Sequence, residues 1–290
     1  MKNQTKLLIA LALLLGIVTR LNALWSEWIA LLLMIFAGIP HGSYDLRVAE
    51  AKWKNGIISQ KKVVLIYLFS GFTMASIFLL SPTIGFIVFI LISFYHFVDG
   101  EISLDYLPWR AALFGLSAII LPIGLHFQSA SVYMKFFLDS AAIDWLSPVI
   151  QIVAICFTVL ICLTLILELA LWKLKVGTNW IELFVCLLGW VLLPPLAGFC
   201  VWFIGRHSSE HIALCKTLFK NNKVSLPLDF IALSLLAFCL LLPLSLLFDL
   251  TDLSQLFTAS IILVAGLTLP HVLVTHNLRQ VLALSPGGTK

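Results

Sequence analysis

Long stretches without charge run the length of this chain. From 147 to 171 the only charged side chain is Glu168, and from 63 to 80 and from 256 to 278 there is none. A helix needs about 20 apolar residues to cross the roughly 30 Å hydrocarbon core of a bilayer, so a chain made of such stretches folds against lipid. Only 11% of the residues are charged and 61% are hydrophobic, against about 25% charged in an ordinary soluble domain. The mean hydropathy of +1.07 agrees, and together these exclude soluble nucleotide-binding folds, disordered tails and secreted disulfide scaffolds. The net charge of +4 comes without the basic stripe that nucleic acid requires. The six cysteines lie inside apolar runs and form no C-x-x-C pair, so they read as small buried hydrophobes.

Eight stretches of spanning character lie near 6–20, 24–45, 63–80, 83–100, 110–127, 147–171, 228–248 and 256–278. The first has some signal-peptide character, but no small-residue cleavage site follows, and it is expected to remain as a spanning helix. The region 178–220 is too long for one crossing and carries Pro194-Pro195 in its middle. Proline lacks an N–H and disfavours helix in the residue before it, so the pair is expected to turn a hairpin between two spans. The basic residues decide the count. With one span in this region, Lys and Arg divide 10 to 8 between the two sides of the membrane. With two, 15 gather on one side, Arg20 and Lys135 stay on the other, and Arg206 falls inside a span. That asymmetry is the positive-inside pattern. The expected fold is an all-α, polytopic transmembrane helix bundle of about ten spans, one integral-membrane domain over 1–290. Both termini are expected to be cytoplasmic, with the chain multi-pass in the cell's inner membrane.

Ionisable side chains within spans are costly and point to function. Of seven histidines, His41, His96, His207, His211, His271 and His276 lie on even-numbered spans. The first five of these fall about 11 to 17 residues from the outer ends of their spans, a spread of roughly 9 Å at the helical rise. His207 and His211 are four apart and are expected to share a helix face. With His41 in IPHGSYD and His96 in SFYHFVDGE they make a four-imidazole site inside a bundle, suited to Fe, Zn or Cu. Asp45, one helical turn after His41, is placed either to hold that ring's second nitrogen or to cap a helix. Arg206 and Glu210, also four apart, read as an internal ion pair. His271 and His276 are about 140° apart around a helix, so at most one belongs near a metal. Asp45, Glu210, His271 and His276 are thus expected to support the ligands or line the pocket. Asp99 and Glu101 read as solvated, and Glu27 and His126 as interfacial.

These motifs, IPHGSYD, YHFVDGE, RHSSEH and LTLPHVLVTH, occur in the order in which the chain resembles the Brp/Blh family of bacterial and archaeal β-carotene 15,15'-dioxygenases. The resemblance covers nearly the whole chain. It implies a multi-span membrane enzyme that uses Fe(2+) and O2 to cleave the central double bond of β-carotene to two molecules of retinal, often in the service of a retinal-binding rhodopsin. It also implies that His41, His96, His207 and His211 are the iron ligands. Leu46 departs from the histidine expected after the aspartate in many members, a difference that bears on substrate preference. An apolar polyene needs no charged anchor, only a long apolar tunnel that sets its central bond at the metal. No nucleophilic serine or cysteine is required.

Two other readings share some of these residues. His207 to His211 also spells H-x-x-E-H, the pattern of an intramembrane zinc peptidase with Glu210 as base, but four histidines would close the water position that a zinc hydrolase needs. A haem- or metal-binding membrane carrier would want histidines at two depths or carboxylates along a path through both leaflets. Neither pattern is present.

Overall fold

The computed structural model describes residues 3–52, 60–102, 108–170, 180–218, 235 and 244–276. Nearly all of these residues are helical, and none of them lies in a strand. The helices are α1 (Asn3–Leu21), α2 (Ala23–Leu33), α3 (Asp45–Lys52), α4 (Gln60–Leu80), α5 (Pro82–Ile102) and α6 (Pro108–Leu125). They continue with α7 (Phe127–Met134), α8 (Ser140–Ala170), α9 (Trp180–Leu192), α10 (Pro195–Trp202), α11 (Ser209–Leu218) and α12 (Leu253–Thr275). Six described stretches are long and apolar enough to cross a membrane: Asn3–Leu21, Ala23–Ala49, Pro82–Glu101, Pro108–Leu125, Ser140–Leu167 and Leu253–Thr275. Val64–Leu80 and Ile181–Leu192 are shorter apolar helices. Of the span expected at 228–248, residues 228–234 and 236–243 lie outside the described residues.

Local chemistry marks where the helices begin. Asn22 stands in extended backbone and accepts from the Leu24 and Trp25 amides, capping α2. Proline opens α5, α6 and α10, where its missing N–H would have had no intrahelical partner. Asp252 caps α12 by accepting from the Gln255 amide at 2.9 Å. Hydrogen bonds from the Ser254 hydroxyl and the Gln255 amide hold its carboxyl below the ordinary aspartate range.

The chain forms two compact units. The first comprises Met1–Met34 and Gly100–Glu210. In it α10 packs against α1, α2, α6 and α9, while α6 lies along α8. Chain direction reverses at Leu193-Pro194, and α10 returns against α9 so closely that a Cβ on Gly198 would stand 2.9 Å from the Gly189 carbonyl oxygen. Gly124 on α6 gives the same intimacy with Ile150 and Ala154 of α8, the close approach that small residues permit between membrane helices. Trp190 and Trp202 fill the interior.

The second unit comprises Ile35–Asp99 and His211–Lys290. Here α12 packs along α4 and against α3. The two long helices touch at glycine: a Cβ on Gly71 would lie 2.9 Å from the Gly266 carbonyl oxygen. The opposite face of α4 presents Leu65, Phe69 and Phe72 outward, an exposed apolar stripe at helical spacing, as a lipid-facing helix requires. This unit carries most of the histidines.

Candidate metal centre

His41 sits on irregular backbone. A π-helical turn, Met34–Gly38, is followed directly by a 3-10 segment, Ile39–Tyr44, and only then by α3. Such departures from α-helix recur at functional sites because they re-aim side chains. The His41 Nδ1–H donates to the Gly38 carbonyl. That bond fixes the tautomer and leaves the lone pair on Nε2. The winding also explains a correction. Asp45 does not hold His41, because four residues at three per turn carry it about a third of a turn away rather than above the ring.

Asp45 holds His271 instead. Its two carboxylate oxygens accept from His271 Nδ1 at 2.9 and 2.8 Å, and Oδ2 also accepts from the Tyr67 hydroxyl at 3.0 Å. Gly42 leaves room for this pair, since a Cβ there would come 3.3 Å from Asp45 Oδ2 and 3.6 Å from His271 Nδ1. Three elements are thereby tied together, with Asp45 on α3, Tyr67 on α4 and His271 on α12.

His271 lies among three further imidazoles. Its ring centroid is 4.7 Å from His41, 4.9 Å from His96 and 5.2 Å from His211, all edge to face, and His41 stands 5.5 Å from His211. All four are buried. One potential ligand atom from each of His41, His96 and His271 lies within 4.8 Å of the others, and a second such group joins Asp45, His211 and His271. Two nitrogens bound to one ion at about 2.1 Å are at most about 4.2 Å apart, so small side-chain movements would complete a shell. Four imidazoles with few competing charges are the donor set of a borderline transition metal. His271 Nε2 is buried and has no hydrogen-bond partner among the described residues, so the residues fit a metal. Cys215 Sγ approaches His211 Nε2 at 3.5 Å.

The other candidates have partners of their own. His207 belongs to the first unit, on the π-helical turn Phe203–Ser208, where its ring stacks at 5.3 Å on Trp202 and 5.7 Å on Phe203. Neither group of close ligand atoms includes it. His276 ends α12 and meets the Tyr95 hydroxyl at 2.7 Å and Asp99 at 3.3 Å. Arg206, expected to pair with Glu210, directs its guanidinium to Glu101 through two bonds of 3.1 and 3.0 Å and to Glu182 at 2.7 Å. Thr5 adds a hydrogen bond to Glu182 at 2.6 Å. Glu101 is therefore buried and paired rather than solvated. Glu27 is likewise interior: it accepts from the Leu196 and Ala197 amides at the start of α10 and from Tyr133, because that helix start exposes amides an anion can satisfy. His126 Nε2 bonds the Trp190 carbonyl at 3.0 Å.

Three contributors escaped the sequence reading. Glu182 was visible as the one charged side chain of an apolar helix and Tyr67 as a hydroxyl in another, groups that need partners when buried. Cys215 carried no such signal.

A family model described as Beta-carotene 15,15'-dioxygenase matches residues 32–279 of the chain. A protein named Beta-carotene 15,15'-dioxygenase, from uncultured marine bacterium 66A03, is 25% identical over 193 residues, covering 64% of this chain and 68% of its own length. No solved structure matches.

Proposed function

The chain belongs to the beta-carotene 15,15'-dioxygenase family, and from that premise we propose that it splits the central double bond of β-carotene with O2 to give two molecules of retinal. Both oxygen atoms end in the two aldehydes, and no other co-reactant is consumed. We assign the metal as Fe(2+) and its ligands as His41, His96, His207 and His211. The observation that carries this reading is the convergence of His41, His96 and His211, from three motifs far apart in sequence, on one buried cluster of imidazoles. His207 rests on its spacing and on the resemblance.

Iron bound by neutral imidazoles would supply the activation of O2 beside the polyene. The chain's own groups do the rest. The Gly38 carbonyl sets the His41 tautomer, burial keeps water from the reacting bond, and the apolar helices offer the carotene a route from the bilayer. The zinc-peptidase reading of His207 to His211 is not favoured, since the family match covers all the histidine motifs. The membrane arrangement we propose has ten spans with both termini cytoplasmic, in the cell's inner membrane. It is supported by the reversal between α9 and α10 and by helical hydrogen bonding that then runs from 195 to 218. Retinal made within the bilayer would be available to a membrane rhodopsin.

Expression in a β-carotene-producing bacterium tests the activity. Loss of orange colour with accumulation of retinal is expected, and His41→Ala should restore the colour while His126→Ala should not. Undiminished carotene beside well-folded wild-type protein would overturn the assignment.

A further inference from the structure

The His271 ring lies within 5.2 Å of each of the other three imidazoles of the cluster. Its Nδ1 faces two oxygens of a carboxylate. An ionised carboxylate only accepts, so Nδ1 carries the proton and, in the neutral ring, the lone pair is on Nε2. That nitrogen is buried, has no hydrogen-bond partner among the described residues, and belongs to a residue with a ligand atom within 4.8 Å of ligand atoms of His41 and His96. If the ring were instead a protonated partner of Asp45, Nε2 would carry a buried N–H without an acceptor, a worse arrangement.

We propose that His271 binds the metal directly through Nε2, and that Asp45 and Tyr67 are positioning residues that fix its tautomer and aim. The inference rests on the metal reading above and deepens it. Asp45 serves from outside the ion because both its oxygens already accept from His271 Nδ1 and one also accepts from Tyr67. A carboxylate so placed orients the ring and raises the basicity of the ligating nitrogen. Gly42 leaves the pair room near the backbone that bears His41.

The test uses the full-length protein in detergent, stripped with chelator and titrated anaerobically with Fe(2+), and separately with Co(2+) as a visible-absorption probe. For His271→Ala, metal affinity is expected to fall by at least about 10-fold, the Co(2+) spectrum to change, and added imidazole to restore both. Asp45→Asn keeps the volume but offers Nδ1 an amide, and its affinity is expected to drop by about 10- to 100-fold with a shifted Co(2+) spectrum. Tyr67→Phe should move the same readouts less, and His126→Ala should move neither. Should His271→Ala misfold, Asp45→Asn and Tyr67→Phe still decide. Variants that bind Fe(2+) as tightly as wild type with an unchanged Co(2+) spectrum overturn the role of His271 and leave the metal reading standing. A wild-type protein that takes up neither ion overturns both.

Discussion

Single residues in this protein act through the partners that burial forces on them. Arg206 lies between Glu101 and Glu182 with its side chain almost fully enclosed, as are theirs. Removing the guanidinium leaves two buried carboxylates without their shared cation, an effect of about 3–5 kcal/mol. Arg206→Ala is therefore expected to lower the stability of the purified protein by that amount in denaturant unfolding, and a loss below about 1 kcal/mol would mean that the cluster is hydrated. The sequence announced these residues individually, because a charge inside an apolar run needs a partner. It could not say which partner. Glu101 and Glu182, which Arg206 bonds, lie 105 and 24 residues away, beyond the one-turn spacing that suggested Glu210. The same holds for Asp45, whose partner lies 226 residues distant rather than one turn before it.

At the scale of elements, glycine and irregular winding govern the site. Gly71 and Gly266 bring α4 against α12 with backbone in contact, and this closeness lets Tyr67, one turn from Gly71, and His271, five residues past Gly266, reach the same aspartate. A methyl group at Gly71 would press on backbone, which cannot swing aside as a side chain can. Gly71→Ala is expected to lower stability by about 1–3 kcal/mol and to reduce the iron retained through purification, read by metal analysis. Full metal content in that variant would show that α4 and α12 can separate without disturbing Asp45. The helices themselves were legible from apolar runs, prolines and caps. The π-helical turns were not, since MIFAG and FIGRHS carry no pattern that sets them apart from α-helix, while Pro40 and Gly42 in IPHGSYD mark a break in α-helix without giving its winding.

For the whole molecule, the decisive question is on which side of the membrane each motif lies. If α9 and α10 are separate crossings, alkaline phosphatase fused after Lys220 stays in the cytoplasm and is inactive, while a fusion after Lys135 is exported and active. An active Lys220 fusion would remove one span and reverse the sidedness of everything before it relative to His211. What the sequence by itself determined is the membrane setting, the helical class, the charge asymmetry and the short list of histidines, because each follows from what lipid tolerates along a single stretch of chain. Only the tertiary structure decided that Asp45 serves His271, that Glu101 is interior and that Tyr67 belongs to the metal neighbourhood. Those pairings depend on helix rotation and separation, which backbone winding and glycine contacts set and which no local pattern encodes.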